Sequence, residues 1–238
     1  MEKFKNIRRR IERFFKQLLG FDIWTHIEVR VPKEKFGTLS NGYFVAFPEK
    51  ITENTIVYSV GVGREISFDL DLINKKNVTV YAFDPTPRAK EWIRTQKLPE
   101  KFKFFDIGVA DFDGIANFYE PENPRSTSYS LVEQGKHILR VVKCPVKRLK
   151  TIMEMLGHKK IDILKMDIEG GEYKVIEDII KSKIQISQIL VEFHHRKKNI
   201  GIYKTKRAIT SLRENNFRIF YISPKGEEYS FIKIEKWK

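Results

Sequence analysis

The chain has 238 residues, 45 Lys+Arg against 31 Asp+Glu and a formal net charge of +14. That length holds one domain with a substantial core, or one domain plus a short appendage. A content of 41% hydrophobic residues with 18 Phe excludes a disordered or collagen-like chain. The single cysteine, Cys144, excludes a disulfide scaffold and a zinc site built on several thiolates. No apolar run approaches the roughly 20 residues that span a bilayer, and Lys16 interrupts the apolar patch nearest the N-terminus, so no secretory leader is expected. A cytoplasmic globular protein, at most peripheral to a membrane, is the expectation.

Residues 1–20 stand apart, with seven bases to two acids and a net charge of +5. Phe4, Ile7, Ile11, Phe14, Phe15, Leu18 and Leu19 follow helical i, i+3/i+4 spacing, with Arg8 intruding on their face, and Gly20 supplies a stop. The expected arrangement docks this stripe on the protein's own body and turns the bases to water. The alternative lays the basic helix on an anionic membrane or on nucleic acid.

Residues 21–50 form a second segment of strands and turns. Positions 27–31 alternate as a strand, and Ser40, Asn41 and Gly42 are turn chemistry leading into a strand over 43–47. From 51 to 238 the texture becomes alternating strand and helix. Strands are expected at 56–62, 78–83, 102–110, 115–119, 161–167 and 186–194, and helices at 66–76, 88–96, 172–180 and 203–215. Residues 120–137 read as a loop long enough to be a lid. Runs at 218–223 and 229–234 flank Pro224-Lys225-Gly226 as a hairpin. The pattern predicts an α/β fold: a doubly wound, mostly parallel Rossmann-like sheet with helices on both faces and a C-terminal antiparallel hairpin.

Ligands of such sheets sit beyond the C-terminal strand ends. Gly61 and Gly63 follow the first strand of the alternating region, where glycines let backbone approach a ligand. Asp84 ends the next strand, near the spacing at which an acid reaches ribose hydroxyls. Ile66 stands where a dinucleotide fingerprint needs a third small residue, and no phosphate-binding P-loop exists. A cofactor without phosphates to cradle, S-adenosylmethionine, suits the turn. The competing reading is that both glycines only turn the chain and Asp84 is solvated.

The segments 57–69 and 82–87, around these glycines and Asp84, resemble the cofactor-binding half of FkbM-type methyltransferases. Residues 162–172 are similar to that family's K-x-D-x-E-G-x-E signature through Lys165, Asp167, Glu169, Gly170 and Glu172. Residues 188–195 and the loop 123–131 fit as well, so the resemblance covers about residues 37–222. It implies a class I S-adenosylmethionine-dependent methyltransferase acting on oxygen of a sugar, glycolipid or small metabolite. Ser59 stands where class I members often place an acid for the methionine amine, and it offers a hydrogen bond without charge. Pro85 is expected beside the adenine, and the strand end at Asp111 near its edge.

By strand alternation Ile163, Lys165 and Asp167 share one face, as do Leu190, Glu192 and His194. Lys165 and Glu192 are expected to pair inside the sheet, leaving Asp167 and His194 at the strand tips. His194, with a pKa near neutrality, is the expected base that takes a proton from an acceptor hydroxyl, and Asp167 its orienting partner or an acceptor for substrate hydrogen bonds. Acids in a first helical turn stabilise it, which suffices for Glu172. His195 points the other way, and His26, His137 and His158 receive no role. Asp167, Glu169 and His194 have the chemistry of a Mg or Mn site, but no spacing demands a metal and none is expected. The small-molecule or glycan O-methyltransferase therefore competes with an RNA or other nucleic-acid methyltransferase, prompted by the net charge, and with a non-catalytic binding protein that uses its basic helix.

Overall fold

The computed structural model describes residues 2–38, 41–123, 126, 128–131, 138–197 and 199–234. Ser40 of the expected turn, His137 and part of the 120–137 loop lie outside these residues. The chain begins with α1 (Glu2–Leu18) and a hairpin of β1 (Lys33–Gly37) and β2 (Gly42–Ala46). The alternation follows: β3 (Ile56–Val60), α2 (Ser67–Lys76), β4 (Thr79–Phe83), α3 (Pro87–Arg94) and β5 (Phe102–Phe105). A side sheet comes next, made of β6 (Gly108–Ala110), β7 (Gly114–Pro121) and β8 (Ile138–Arg148). The chain then returns through α4 (Leu149–Leu156), β9 (Ile161–Met166), α5 (Glu172–Lys181), β10 (Ile186–Glu192), α6 (Gly201–Glu214), β11 (Phe217–Ile222) and β12 (Glu228–Lys233).

Seven strands join in the order β11-β12-β10-β9-β3-β4-β5, and β12 alone runs against the others. The fold class is the expected one. The central strands are apolar nearly throughout because both faces are covered. One face buries Leu149, Ile152, Val175, Ile176 and Ile209 from α4, α5 and α6. The other packs Phe68 and Leu72 of α2, Ile93 of α3, and Phe36 and Val45 of the hairpin. Each such burial stabilises by roughly 1.5–3 kcal/mol. Winding runs outward from β3 to β5 and then restarts at β9 on the other side of β3, so the switch point lies between β3 and β9. A ligand crevice belongs above that point.

Three expectations about the elements are corrected. Residues 27–31 form no strand; Glu28 and Val29 only donate backbone bonds to Ile219 O (2.8 and 3.2 Å). The strand expected over 102–110 is broken at Asp106 and Ile107, because β5 ends its pairing with β4 and β6 leaves to pair with β8. Finally, the apolar stripe of α1 does not dock on the body: Phe4, Ile11, Phe15 and Leu18 are exposed. The opposite, polar face of the helix makes the contact, with Gln17 Nε2 donating to Ile23 O (2.7 Å) and Arg13 to the Tyr229 hydroxyl (3.3 Å). Three elements, β1, β8 and α4, went unread in the sequence.

Candidate active site

Above the switch point lies a cleft of about 250 Å³, walled by the loops after β3, β4 and β9, by Glu192 at the end of β10, and by Tyr43 of the hairpin. Gly61, Gly63, Asp84, Pro85 and Asp167 all line it.

The turn after β3 is held by backbone. Gly61 N–H donates to Phe83 O (2.9 Å), Asp167 N–H donates to Val60 O (3.0 Å), and Lys165 Nζ donates to Gly61 O (2.9 Å). Gly61 has φ +74°, and a Cβ there would overlap the carbonyl oxygen of Asp167 and lie 2.7 Å from its carbon. Glycine is thus required by the loop after β9, a reason that the sequence pattern assigned to a ligand.

Asp84 is buried at the tip of β4. Its Oδ2 accepts from Gly63 N–H (2.9 Å), and its Oδ1 from Thr86 N–H (2.9 Å) and Thr86 Oγ1 (2.6 Å). Burial pushes its pKa above the usual carboxylate value, while these donors and Lys165 oppose the rise. A carboxylate offers about four lone pairs, so Asp84 keeps acceptor capacity toward the cleft that it lines. Two other expected cofactor residues sit elsewhere. Ser59 is fully buried beneath the floor, interacting with Asp69 of α2, and does not line the cleft. Asp111 lies on a second cavity of about 710 Å³, lined also by Phe112, Tyr203 and Arg207, where Lys174 approaches it at 3.9 Å.

The chemistry end also differs from expectation. Register sets Lys165 opposite Leu190 and Ser59, not opposite Glu192, which lies two residues further along its strand. The expected pair does not form. Lys165 instead binds the Gly61 carbonyl and lies over the Tyr43 ring at 5.8 Å, its charge opposing the rise that burial imposes on Asp69, Asp84 and Asp167. Glu192 is pushed up to about 8, first by burial and then by the charges of Asp167 and Glu228. Asp167 is also raised, chiefly by burial, and its Oδ1 is buried without a hydrogen-bond partner among the described residues.

His194 stands behind this wall and does not line the cleft. Its backbone N–H donates to Glu172 Oε1 (3.1 Å), its Nδ1 lies 3.2 Å from the same oxygen, and its Nε2 lies 3.3 Å from Glu169 and 3.6 Å from Asp167. Burial opposes its charge, yet the three carboxylates outweigh burial and push it up to about 9. The three carboxylates thus hold His194 above the near-neutral value expected from the sequence, which disfavours it as a proton acceptor at pH 7. Glu172, credited only with helix stabilisation, instead grips His194 and accepts from Gly170 N–H (2.8 Å). Glu169 is held at φ +55°, a left-handed conformation costly for a side-chain-bearing residue. Its carbonyl accepts from Ser130 Oγ (2.7 Å), and Lys197 pairs with its carboxylate. Asp167, Glu169 and His194 can each bring one ligand atom within 4.8 Å of the others. A cation there must displace the His194 proton and compete with Lys197. His195 is buried 3.5 Å from Asp22, and His158 bonds the Tyr58 hydroxyl (2.8 Å).

Over the mouth, Ser128 and Tyr129 line the cleft. Arg88 pins this loop by donating to Ser126 O (2.6 Å), Asn123 O (2.8 Å) and Pro121 O (3.2 Å), and it pairs with Glu120 (2.9 Å). Charge is distinctive inside: Glu65, Asp84, Asp167, Glu169, Glu192 and Glu228 face Arg64 and Lys165. Sequence reading missed Glu192 as a cleft residue, because an apolar strand context marked it as structural. The available signal was its place near the C-terminal end of the 186–194 strand run; in the fold it lies one residue beyond the pairing with β9 and opposite Glu228 of β12.

A mostly parallel sheet wound to both sides of a switch-point crevice, with a glycine turn and a strand-tip acid beside it, defines the class as a Rossmann-like α/β fold. Within that class the chain belongs to the Methyltransferase FkbM domain family, which matches residues 43–219. It is 23% identical to the probable methyltransferase-like protein 24 of Rattus norvegicus over 181 residues, 71% of this chain and 43% of that protein. The Homo sapiens counterpart is also 23% identical, over 69% of this chain and 42% of its own length. The chain therefore spans less than half of these curated relatives. Among solved structures, the methyltransferase FkbM of Methylobacillus flagellatus superposes with a TM-score of 0.48 at 10% identity, covering 77% of this chain and 44% of that one.

Proposed function

We propose that the protein transfers a methyl group from S-adenosylmethionine to a hydroxyl of an uncharged acceptor such as a sugar, glycolipid or small metabolite. The observation that carries this reading is the acid-rich cleft at the switch point, with six carboxyl residues against two bases. With Glu192 raised to about 8, and Asp167 and Glu169 beside His194 and Lys197, the lining keeps Glu65, Asp84 and Glu228 against Arg64 and Lys165, a small acidic excess that suits a cationic cofactor better than a pyrophosphate or a nucleic-acid backbone. Bound S-adenosylmethionine supplies an electrophilic methyl on a sulfonium centre. Asp84 would accept from the ribose hydroxyls, Pro85 and Phe83 would border the base, and Asp167, whose Oδ1 faces His194 Nε2 at 3.6 Å, would accept on its other oxygen from an ammonium or a substrate hydroxyl. Glu192, rather than His194, would take the acceptor's proton on its carboxylate, since a base with a pKa near the working pH is the efficient one. His194 positions Asp167 and Glu169. Ser128 and Tyr129 would keep water from the acceptor.

Isothermal titration tests the reading. The wild-type chain should bind S-adenosylmethionine and not NAD, and Asp84→Asn should weaken binding by about tenfold or more, the worth of a hydrogen bond to a charged group. Equal affinity for NAD, or an unaltered Asp84→Asn, would overturn it. Screening acceptors with labelled methyl then separates hydroxyl from nucleic-acid substrates.

A further inference from the structure

The amphipathic helix α1 turns its two faces the opposite way from an ordinary surface helix. At about 100° per residue, Phe4, Ile7, Ile11, Phe14, Phe15 and Leu18 fall within about 100° of the helix circumference. All are exposed, Phe4 at 78% and Leu18 at 58%. The face directed at the body is polar. There Arg13 lies 3.8 Å from Asp22 and bonds Tyr229, Gln17 bonds Ile23, and a Cβ on Gly226 would stand 2.7 Å from Arg13 Cδ, so the hairpin turn is shaped to seat this arginine. A helix held by its polar side leaves its stripe for something else.

The apolar surface continues past the helix. Trp24 is 61% exposed; its indole N–H donates to Gln17 O (3.1 Å) and its ring meets Phe14 edge-on at 6.0 Å. Phe21 and Ile27 are exposed beside it. On either side of the stripe, Lys5, Arg8 and Arg10 are exposed bases. Large contiguous apolar patches on a protein surface mark an interaction site.

We propose that this face lies on an anionic lipid surface, the stripe entering the acyl boundary, Trp24 at headgroup level and the flanking bases on lipid phosphates. Charge selects this occupant. A second copy would bring a second net +5 against the first, and an RNA would satisfy the bases but leave the stripe in water. No helix among the described residues is long and apolar enough to cross a membrane, so the contact is an in-plane one.

The test uses the full chain in vesicle sedimentation, with phosphatidylcholine alone or with roughly 30% phosphatidylglycerol. Wild type should pellet with anionic vesicles and far less with neutral ones. Ile11→Asn/Phe15→Ser should lose at least about tenfold in partition, and Lys5→Gln/Arg10→Gln about tenfold on anionic vesicles only. Because these side chains are exposed, both variants should keep the wild-type melting temperature. The proposal fails if wild type stays in the supernatant with anionic vesicles, or if the stripe variant pellets as well as wild type. It also fails if sedimentation velocity shows a dimer that the stripe variant dissolves, or if RNA binds equally to the stripe variant while vesicles do not.

Discussion

Replacing Gly61 by alanine isolates the close approach on which the cleft is built. The new Cβ would overlap the carbonyl oxygen of Asp167, a backbone atom with no rotamer to yield, so the two loops must part. Parting them loosens three bonds: Gly61 N–H to Phe83 O, Asp167 N–H to Val60 O and Lys165 to Gly61 O. At about 1 kcal/mol each, plus about 1 kcal/mol for alanine in a left-handed conformation, Gly61→Ala should lose about 4 kcal/mol. Gly157 provides the matched control. Its φ is +71° against +74°, and nothing lies within 4 Å of its would-be Cβ. Gly157→Ala should therefore cost only the backbone part, about 1 kcal/mol. Urea unfolding followed by tryptophan fluorescence reads both, and cofactor titration should fail for Gly61→Ala alone. Equal destabilisation of the two variants would refute the steric account and leave only the sign of φ.

Glu192→Gln should abolish the part of the pH–rate profile that rises toward pH 8, whereas an isosteric wall residue with no proton role would leave the profile's shape intact. His194 has a folded pKa of about 9 above an unfolded value near 6.5. The stability it adds is therefore fully present below about pH 6.5 and lost as pH rises through 9, and His194→Gln should flatten that limb in urea titrations. Cys144 is buried, and burial pushes its thiol up to about 11, so a thiol reagent at pH 8 should label it only on unfolding; fast native labelling would contradict its burial.

Strand-helix alternation was legible because period and punctuation act locally: every element named in the 51–238 region that survived has ends within two residues of those observed. Gly61, Gly63, Asp84 and Pro85 were placed in one cleft because strand tips at a switch point converge whatever the loop details. What escaped depended on non-local facts. The Lys165–Glu192 pair failed because alternation tells faces but not register, and a two-residue offset puts Glu192 at the level of Asp167. The His194 pKa was misjudged because Glu172 comes from a helix start, and only the folded turn brings it within 3.2 Å. Ser59 shares a sheet face with its register partner Lys165, but its short side chain is fully buried and does not reach the cleft that the longer lysine lines. The α1 stripe was misread since a helical period shows that faces differ, never which one meets the body.

Overall charge and site charge point in opposite directions here, and that contrast bears on the acceptor. A chain of net +14 would draw any polyanion to its surface, yet the cleft presents six carboxyl residues to whatever enters. Lys165 gives one of its three N–H donors to the Gly61 carbonyl, and its charge opposes the raised pKa values of Asp69, Asp84 and Asp167. A phosphate moving from the surface into the cleft would leave favourable charge for unfavourable charge, at separations where low polarity strengthens the penalty. A neutral polyol, the acceptor class proposed above, would escape that penalty and could donate to the carboxyl groups of the lining. The bases are left for the surface, and the densest run of them flanks the exposed stripe of α1.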